Sequence, residues 1–160
     1  MDPALSTFIE QLGVISEADG LPRGAGRVFG LLLTRPEPTS LEELADLLAV
    51  SKAAVSVNAR MLEHRGVIEL VTRPGDRRDY YRVAPDLPRR TMQGRIARMQ
   101  RFRDAIAMAR KLRPTDAAVA ARLDDLDDAY AFLSEVITRA LADWCDGRRP
   151  ARKRARRVRA

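Results

Sequence analysis

Residues 51–83 read SKAAVSVNARMLEHRGVIELVTRPGDRRDYYRV, and the order of parts in this stretch decides the fold. Ser51 carries the side-chain oxygen that caps a helix N-terminus. Helical spacing then continues to about Arg65, where Gly66 supplies the residue best suited to stop a helix. Val67-Ile68-Glu69-Leu70-Val71-Thr72 and Tyr80-Tyr81-Arg82-Val83 are rich in strand formers. Between them, Arg73-Pro74-Gly75-Asp76-Arg77-Arg78-Asp79 is a turn sequence crowded with charge. The expectation is a helix followed directly by a β-hairpin with a basic tip.

Working upstream, Ser40 and Glu43 form an S-x-x-E capping box ahead of Leu44, Leu47 and Leu48. Ala49-Val50 turns the chain into the Ser51 helix, and two short helices joined so tightly predict a helix-turn-helix. Before them, Leu5, Phe8, Ile9, Leu12 and Ile15 predict a helix over about residues 4–18, ended by Gly20. Pro22 then sits in the first turn of a second helix. Its residues Ala25, Val28, Phe29 and Leu32, with Leu31 and Leu33, make it apolar nearly all round and so deeply buried. Arg35-Pro36-Glu37-Pro38 breaks it. Gly24-Ala25-Gly26 followed by Gly30 misses G-x-G-x-x-G by one position and follows a helix, which excludes a nucleotide loop.

Downstream, Pro85 and Pro88 mark a boundary. A long helix is expected from about Arg89 to Leu112, with Met92, Ile96, Met99, Phe102, Ile106 and Ala109 on one face. Pro114 breaks it, and Thr115 or Asp116 caps the last helix. There Val119, Leu123, Leu126, Tyr130, Leu133, Ile137, Leu141 and Trp144 recur in a near-heptad seam. The fold class expected is mainly α with a small β-hairpin wing, a winged helix-turn-helix plus long C-terminal helices.

The initial Met and the length of 160 residues lead to the expectation of a complete small protein, large enough for a core without disulfides or metals. The net charge is +7, from 29 basic and 22 acidic residues. Arg148, Arg149, Arg152, Lys153, Arg154, Arg156, Arg157 and Arg159 fall in the last 14 residues with no acid among them. Without these eight the balance is −1, so charge placement, not net charge, must carry any case for nucleic acid in the body. Cys145 is the only cysteine, which fits a reducing, cytoplasmic setting. No secretory signal and no apolar run of roughly 18 residues are seen, so no membrane is expected. One His and one Cys give no metal cluster of usual spacing. No nucleophile, base and orienting group come together, so neither catalysis nor a cofactor is expected.

The case for duplex DNA comes from the quoted stretch. On a wheel of 100° per residue, Ala54, Val55, Asn58, Met61 and Leu62 face inward, and Lys52, Ala53, Ser56, Arg60 and Glu63 outward. Lys52 and Arg60 have the reach for guanine edges or phosphates, Ser56 suits base or backbone, and Ala53 suits a thymine methyl. Ser51 at the helix N-terminus favours a phosphate. His64, at the far end, suits a phosphate contact or a bare surface role. Arg73, Arg77 and Arg78 surround the hairpin tip, suited to the backbone or to a narrow minor groove. Asp76 and Asp79 either neutralise that tip or orient its arginines.

These features resemble the MarR family of winged-helix regulators, and within it the GbsR-like branch. The likeness runs over about residues 21–83, through Leu21-Pro22-Arg23, Arg27, Leu41-Glu42-Glu43-Leu44-Ala45, Ser51-Lys52-Ala53-Ala54-Val55-Ser56, Leu62-Glu63-His64-Arg65-Gly66 and Pro74-Gly75-Asp76-Arg77-Arg78-Asp79-Tyr80-Tyr81. The resemblance implies a homodimer with two recognition helices in successive major grooves. It implies that the D-x-R element, here Asp76-Arg77-Arg78, places Arg78 in the minor groove with Asp76 as its orienting partner. It further implies repression, release by a small molecule bound between the DNA-binding lobe and the dimer helices, and a link to choline or betaine metabolism. A quaternary ammonium calls for an aromatic cage. Phe8, Phe102, Tyr130, Phe132 and Trp144 are scattered, mostly along seams that read as core.

The domains expected are 1–20, a helix joining the dimer region; 21–84, the winged helix-turn-helix; 85–146, a helical dimerisation region; and 147–160, a basic flexible tail. Leu123, Leu126, Tyr130, Leu133, Ile137 and Leu141 are the expected dimer seam. Asp124, Asp125, Asp127 and Asp128 are expected to pair with Arg95, Arg98, Arg101 and Arg103 across the two long helices. The tail adds salt-sensitive, sequence-independent DNA affinity. The function expected is a sequence-specific, homodimeric, nucleoid-associated repressor. The alternative is a non-specific DNA-coating protein driven by the tail.

Overall fold

The computed structural model describes residues 2–112 and 116–147. Its elements in chain order are α1 (Pro3–Ala18), α2 (Arg23–Leu33), β1 (Thr39–Ser40), α3 (Leu41–Leu48), α4 (Lys52–His64), β2 (Ile68–Arg73), β3 (Asp76–Val83), α5 (Leu87–Lys111) and α6 (Ala117–Cys145). They form two compact units divided between Thr91 and Met92. The mainly helical fold with a small antiparallel sheet is the one the sequence predicts.

In the first unit, α1 is capped by Asp2, whose side chain accepts from the Ala4 amide at 2.7 Å. Gly20, at φ 75°, turns the chain after it. Pro22 stands at the N-cap of α2, one step before the predicted first turn, and α2 begins at Arg23. The two helices cross closely through glycines. A Cβ at Gly26 would lie 2.2 Å from the Leu12 carbonyl oxygen and 2.4 Å from Ser16 Oγ, and one at Gly13 would lie 2.9 Å from Arg23 Cγ. At Gly24 it would lie 2.7 Å from Asn58 Nδ2, where α4 approaches. The glycines that fail as a nucleotide loop therefore serve helix packing. α2 buries Ala25, Val28, Leu31 and Leu32, while Leu33 remains 44% exposed.

Ser40 caps α3 as expected, accepting from the Glu43 amide at 3.2 Å. The reciprocal half of the box is not formed, because the Glu43 carboxylate pairs with Arg35. Ala49 takes a left-handed conformation at φ 53° and closes α3, after which Ser51 Oγ accepts from the Ala54 amide and starts α4. Gly66, at φ 69°, ends the segment after α4.

The sheet has the order β1-β3-β2, all antiparallel. β1 is absent from the sequence reading. Two residues beside Pro38 carry no periodicity, yet Thr39 and Ser40 pair with Tyr81 and Tyr80. The hairpin is also tighter than expected. Arg73 pairs with Asp76, which leaves only Pro74-Gly75 at the tip, with Gly75 at φ 78°. Proline followed by a positive-φ glycine suits a type II turn. Arg73 thus belongs to β2, and residues 76–79 to β3.

The core joins Ile9 of α1, Val28 and Leu31 of α2, Leu41 and Leu44 of α3, Val55 and Leu62 of α4, and Ile68 and Tyr81 of the sheet. α1 packs on α2 and so contributes to this core, while Phe8, Val14 and Ile15 stay exposed.

In the second unit, α5 buries Ile106 and half-buries Met92, Ile96, Met99 and Ala109. It starts at Leu87, with Pro88 in the first turn, where proline is tolerated. Asp116 caps α6, accepting from the Ala118 and Val119 amides. Thr115 lies outside the described residues. Phe102 and Tyr130 stack with centroids 4.6 Å apart. Arg103 reaches Asp127 at 2.7 Å, and Arg110 pairs with both Asp127 and Asp124. The predicted cross-helix pairing therefore exists, but Arg110 takes the place assigned to Arg95, Arg98 and Arg101. Hydrogen bonding from Arg103 holds the Asp127 carboxyl below its ordinary range.

Gly26→Ala will destabilise the protein by about 1–3 kcal/mol in urea unfolding, because a backbone oxygen is the obstacle. Gly94→Ala, in α5 where only Arg98 Nη1 at 3.8 Å would meet the new Cβ, will stabilise it by roughly 0.5–1 kcal/mol.

Candidate nucleic-acid interface

Helix α4 turns Val55, Ala59 and Leu62 into the core. The face opposite them carries Ala53, Val57, Arg60 and His64, all exposed. This is not quite the predicted wheel. Ala54, placed inward from the sequence, is exposed; Ala59, unassigned, is buried; Ser56 and Glu63 are half-buried on the flank. The helix is rotated by most of one residue position from the expected setting. Hydrophobic weighting overlooks Ala59, whose small side chain lets the helix approach the core. Asn58 is half-buried and donates to the Ala54 carbonyl at 2.8 Å. Val57, 56% exposed at the centre of the outer face, is the residue the sequence reading missed.

Ser51 is engaged in capping. Lys52 is exposed and bonded to the Glu42 carboxylate of α3, which is held below its ordinary pKa chiefly by that hydrogen bond. Arg60 makes no salt bridge among the described residues.

The wing is built on strand alternation, which sets Asp76, Arg78 and Tyr80 on one face of β3 and Arg77 and Asp79 on the other. Asp76 Oδ1 accepts from the Arg78 amide and from Arg78 Nε, both at 3.0 Å. Its Oδ2 accepts from Arg78 Nη2 at 2.6 Å and from the Tyr80 hydroxyl at 2.7 Å. The Arg78 hydrogen bonds hold the Asp76 carboxyl far below the usual carboxylate range, and the same contact raises the Arg78 guanidinium. Donation to Asp76, then burial, pushes the Tyr80 phenol up. Of the two acids expected at the tip, Asp76 is the one that holds an arginine. Arg73, Arg77 and Arg78 are all exposed. Arg73 lies over the Tyr80 ring, 4.1 Å from its centroid, and donates to the Pro38 carbonyl at 3.2 Å.

Along the expected seam of α6, Leu123, Tyr130, Ile137 and Leu141 are half-buried, and Leu126 and Leu133 are 43% and 46% exposed. The eight cations from Arg148 to Arg159 lie outside the described residues. Cys145 is exposed at the end of α6. Among the described residues no three His, Cys, Asp or Glu side chains gather as a metal site, and no helix is long and apolar enough to cross a membrane. Phe102 and Tyr130 do meet, but in a pocket of about 350 Å³ that Arg95, Arg98 and Met99 also line. Two guanidiniums oppose a cationic guest there, so this aromatic pair is not a quaternary ammonium cage.

The MarR family model matches residues 19–79. The chain is 37% identical over 145 residues to the HTH-type transcriptional regulator MmpR5 of Mycobacterium tuberculosis, covering 89% of this chain and 88% of that protein. It is 31% identical over 79 residues to the HTH-type transcriptional repressor OpcR of Bacillus subtilis, covering 49% of this chain and 43% of that one. A crystal structure of a transcriptional regulator superposes with a TM-score of 0.83 at 36% identity, covering 90% of this chain and 99% of the other. With its helix-turn-helix, its three-stranded wing and these relatives, the chain belongs to the MarR family of DNA-binding transcriptional regulators.

Proposed function

We propose that this regulator is a sequence-specific homodimeric repressor that reads duplex DNA through the outer face of α4 and the tip of the wing. The observation that carries this reading is the presence, within one compact unit, of an exposed helix face and of a wing arginine held by Asp76. Arg60 would reach a guanine edge or a phosphate, and Ala53 and Val57 offer carbon surface to thymine methyls. Lys52, Ser51 and Ser56 flank that face, and His64 lies at its far end, as backbone contacts. On the wing, Arg78 is the minor-groove residue and Arg77 a phosphate contact.

The homodimer is supported by α6, which has no buried residue of its own. A helix of 29 residues bearing Leu126, Leu133, Val136 and Phe132 on its surface calls for a partner surface. Two copies would read half-sites about one helical turn apart. Repression is supported by the likeness to OpcR, which its name describes as a repressor. The GbsR-like assignment rests on the motifs from Leu21 to Tyr81. Release by a small molecule is supported by the pocket beside Phe102 and Tyr130, which lies within the size range of small-ligand sites.

The decisive experiment is selection of bound duplexes from random and genomic DNA by the full chain. Inverted half-sites are the expected product. Arg60→Ala and Arg78→Ala will each weaken binding to the selected duplex by about 1–3 kcal/mol, and Arg60→Ala alone will relax base preference at one position per half-site. If random duplex competes as well as the selected one, or both variants bind like wild type, the reading fails. Leu126→Asp combined with Leu133→Asp will shift the protein from dimer to monomer in light scattering while leaving the helical content of the first unit intact. Because the Asp76 pKa is depressed, its contribution is present above the ordinary carboxylate range and lost only as pH falls below it. The ratio of wild-type to Asp76→Asn affinity will therefore stay constant from pH 8 down to about pH 5.

A further inference from the structure

An exposed ion pair near a hairpin tip ordinarily contributes little, because two long side chains must be ordered to keep it. The Asp76–Arg78 pair has a backing that such pairs lack. Tyr80, two positions along the same face of β3, is only 4% exposed despite its place near the tip. Its hydroxyl donates to Asp76 Oδ2 at 2.7 Å, the same oxygen that accepts from Arg78 Nη2. The Arg73 guanidinium covers its ring at 4.1 Å, and the Arg78 guanidinium lies 5.3 Å from the same centroid. Arg73 in turn donates to the Pro38 carbonyl in the chain leading into β1. β1 pairs with β3 at Tyr80 itself, through Ser40. A continuous series of contacts, Pro38 to Arg73 to Tyr80 to Asp76 to Arg78, therefore runs from the loop between α2 and β1 to the tip of the wing.

We propose that Tyr80 is a positioning residue that fixes the Asp76–Arg78 pair before DNA arrives, and that Arg73 is the strut holding Tyr80, not a contact to DNA. This rests on the reading of Arg78 as the wing's DNA contact. The physical reason is preorganisation: an arginine already confined to one rotamer loses less freedom when it enters a groove. Asp76 alone can hold one end of the guanidinium. Tyr80 adds a donor that fixes the carboxylate plane, and a ring against which both arginines lie. The sequence reading placed Arg73 among the DNA contacts because its charge lies at the tip. Its guanidinium is instead turned across Tyr80 towards Pro38.

The test uses the full chain in two arms. In the free protein with labelled arginine, hydrogen exchange at Arg78 Nε–H reports the latch without any DNA. Tyr80→Phe, which removes one oxygen, is expected to speed that exchange with little change in the unfolding midpoint. Arg73→Gln is expected to do the same through a residue whose replacement leaves the core untouched. Unchanged exchange in both variants overturns the proposal. In the second arm, the selected duplex is titrated over a range of salt. Tyr80→Phe is expected to weaken binding about three- to tenfold, the size of the ordering cost of one long side chain, and to have no further effect in an Arg78→Ala background. Arg73→Gln is expected to weaken binding without altering the salt dependence. A fall of about one in the salt slope would mark Arg73 as a phosphate contact and overturn its role as strut. If Arg78→Ala binds like wild type, the wing reading under the proposed function has failed, and the exchange at Arg78 still decides the role of Tyr80.

Discussion

The ridge of Val55, Ala59 and Leu62 on α4 packs into the core formed by α2, α3 and the sheet. What α4 offers to a partner follows from that contact, because its rotation decides which residues are left outside. Ala59 matters most. A larger residue would hold the helix away, whereas alanine at 0% exposure brings it near enough for Val55 and Leu62 to be buried as well. The close approach of Asn58 to Gly24 depends on the same rotation. A shift of one position would turn Ser56, Arg60 and Glu63 inward in place of the ridge, so burial of three side chains and the composition of the opposite face are one constraint.

Much of this was legible in the sequence, and the exceptions have physical causes. Helix starts were readable because Ser40, Ser51 and Asp116 cap by local chemistry that depends on neighbouring residues alone. The stops at Gly20 and Gly66 were readable for the same reason. The Asp76–Arg78 contact was anticipated through a family motif, and spacing of two on a strand allows it. What could not be read depends on partners distant in sequence. β1 exists only because β3 offers it hydrogen bonds. Glu43 leaves the capping box because Arg35 is nearer. The setting of α4 depends on what α2 and the sheet present to it, and a wheel drawn from one helix holds no such information. Tyr80 reads locally as an ordinary strand former, and nothing local shows that its hydroxyl and ring meet three charged neighbours.

The second unit is organised differently. Apart from Ile106 on α5, its apolar residues among those described are half-buried or exposed, and its cross-helix order comes from the Phe102–Tyr130 stack and the Arg103 and Arg110 ion pairs. Half-buried pairs of this kind direct two helices into register more than they hold them together. Arg110 shows why pairing could be anticipated but not its partners. Which arginine meets which aspartate depends on the stagger of the two helices, and periodicity along each one leaves that free.

The bridge between Lys52 and Glu42 has a consequence for how such a protein would meet a duplex. Lys52, the one cation in the first turn of α4, has an acid already beside it, and the sequence without its last 14 residues carries a charge of −1. Glu42 both occupies the lysine and repels any phosphate that comes near it. Indiscriminate adhesion to duplex is weakened at that point. Under the proposed reading, the lysine reaches a phosphate only by giving up its carboxylate partner.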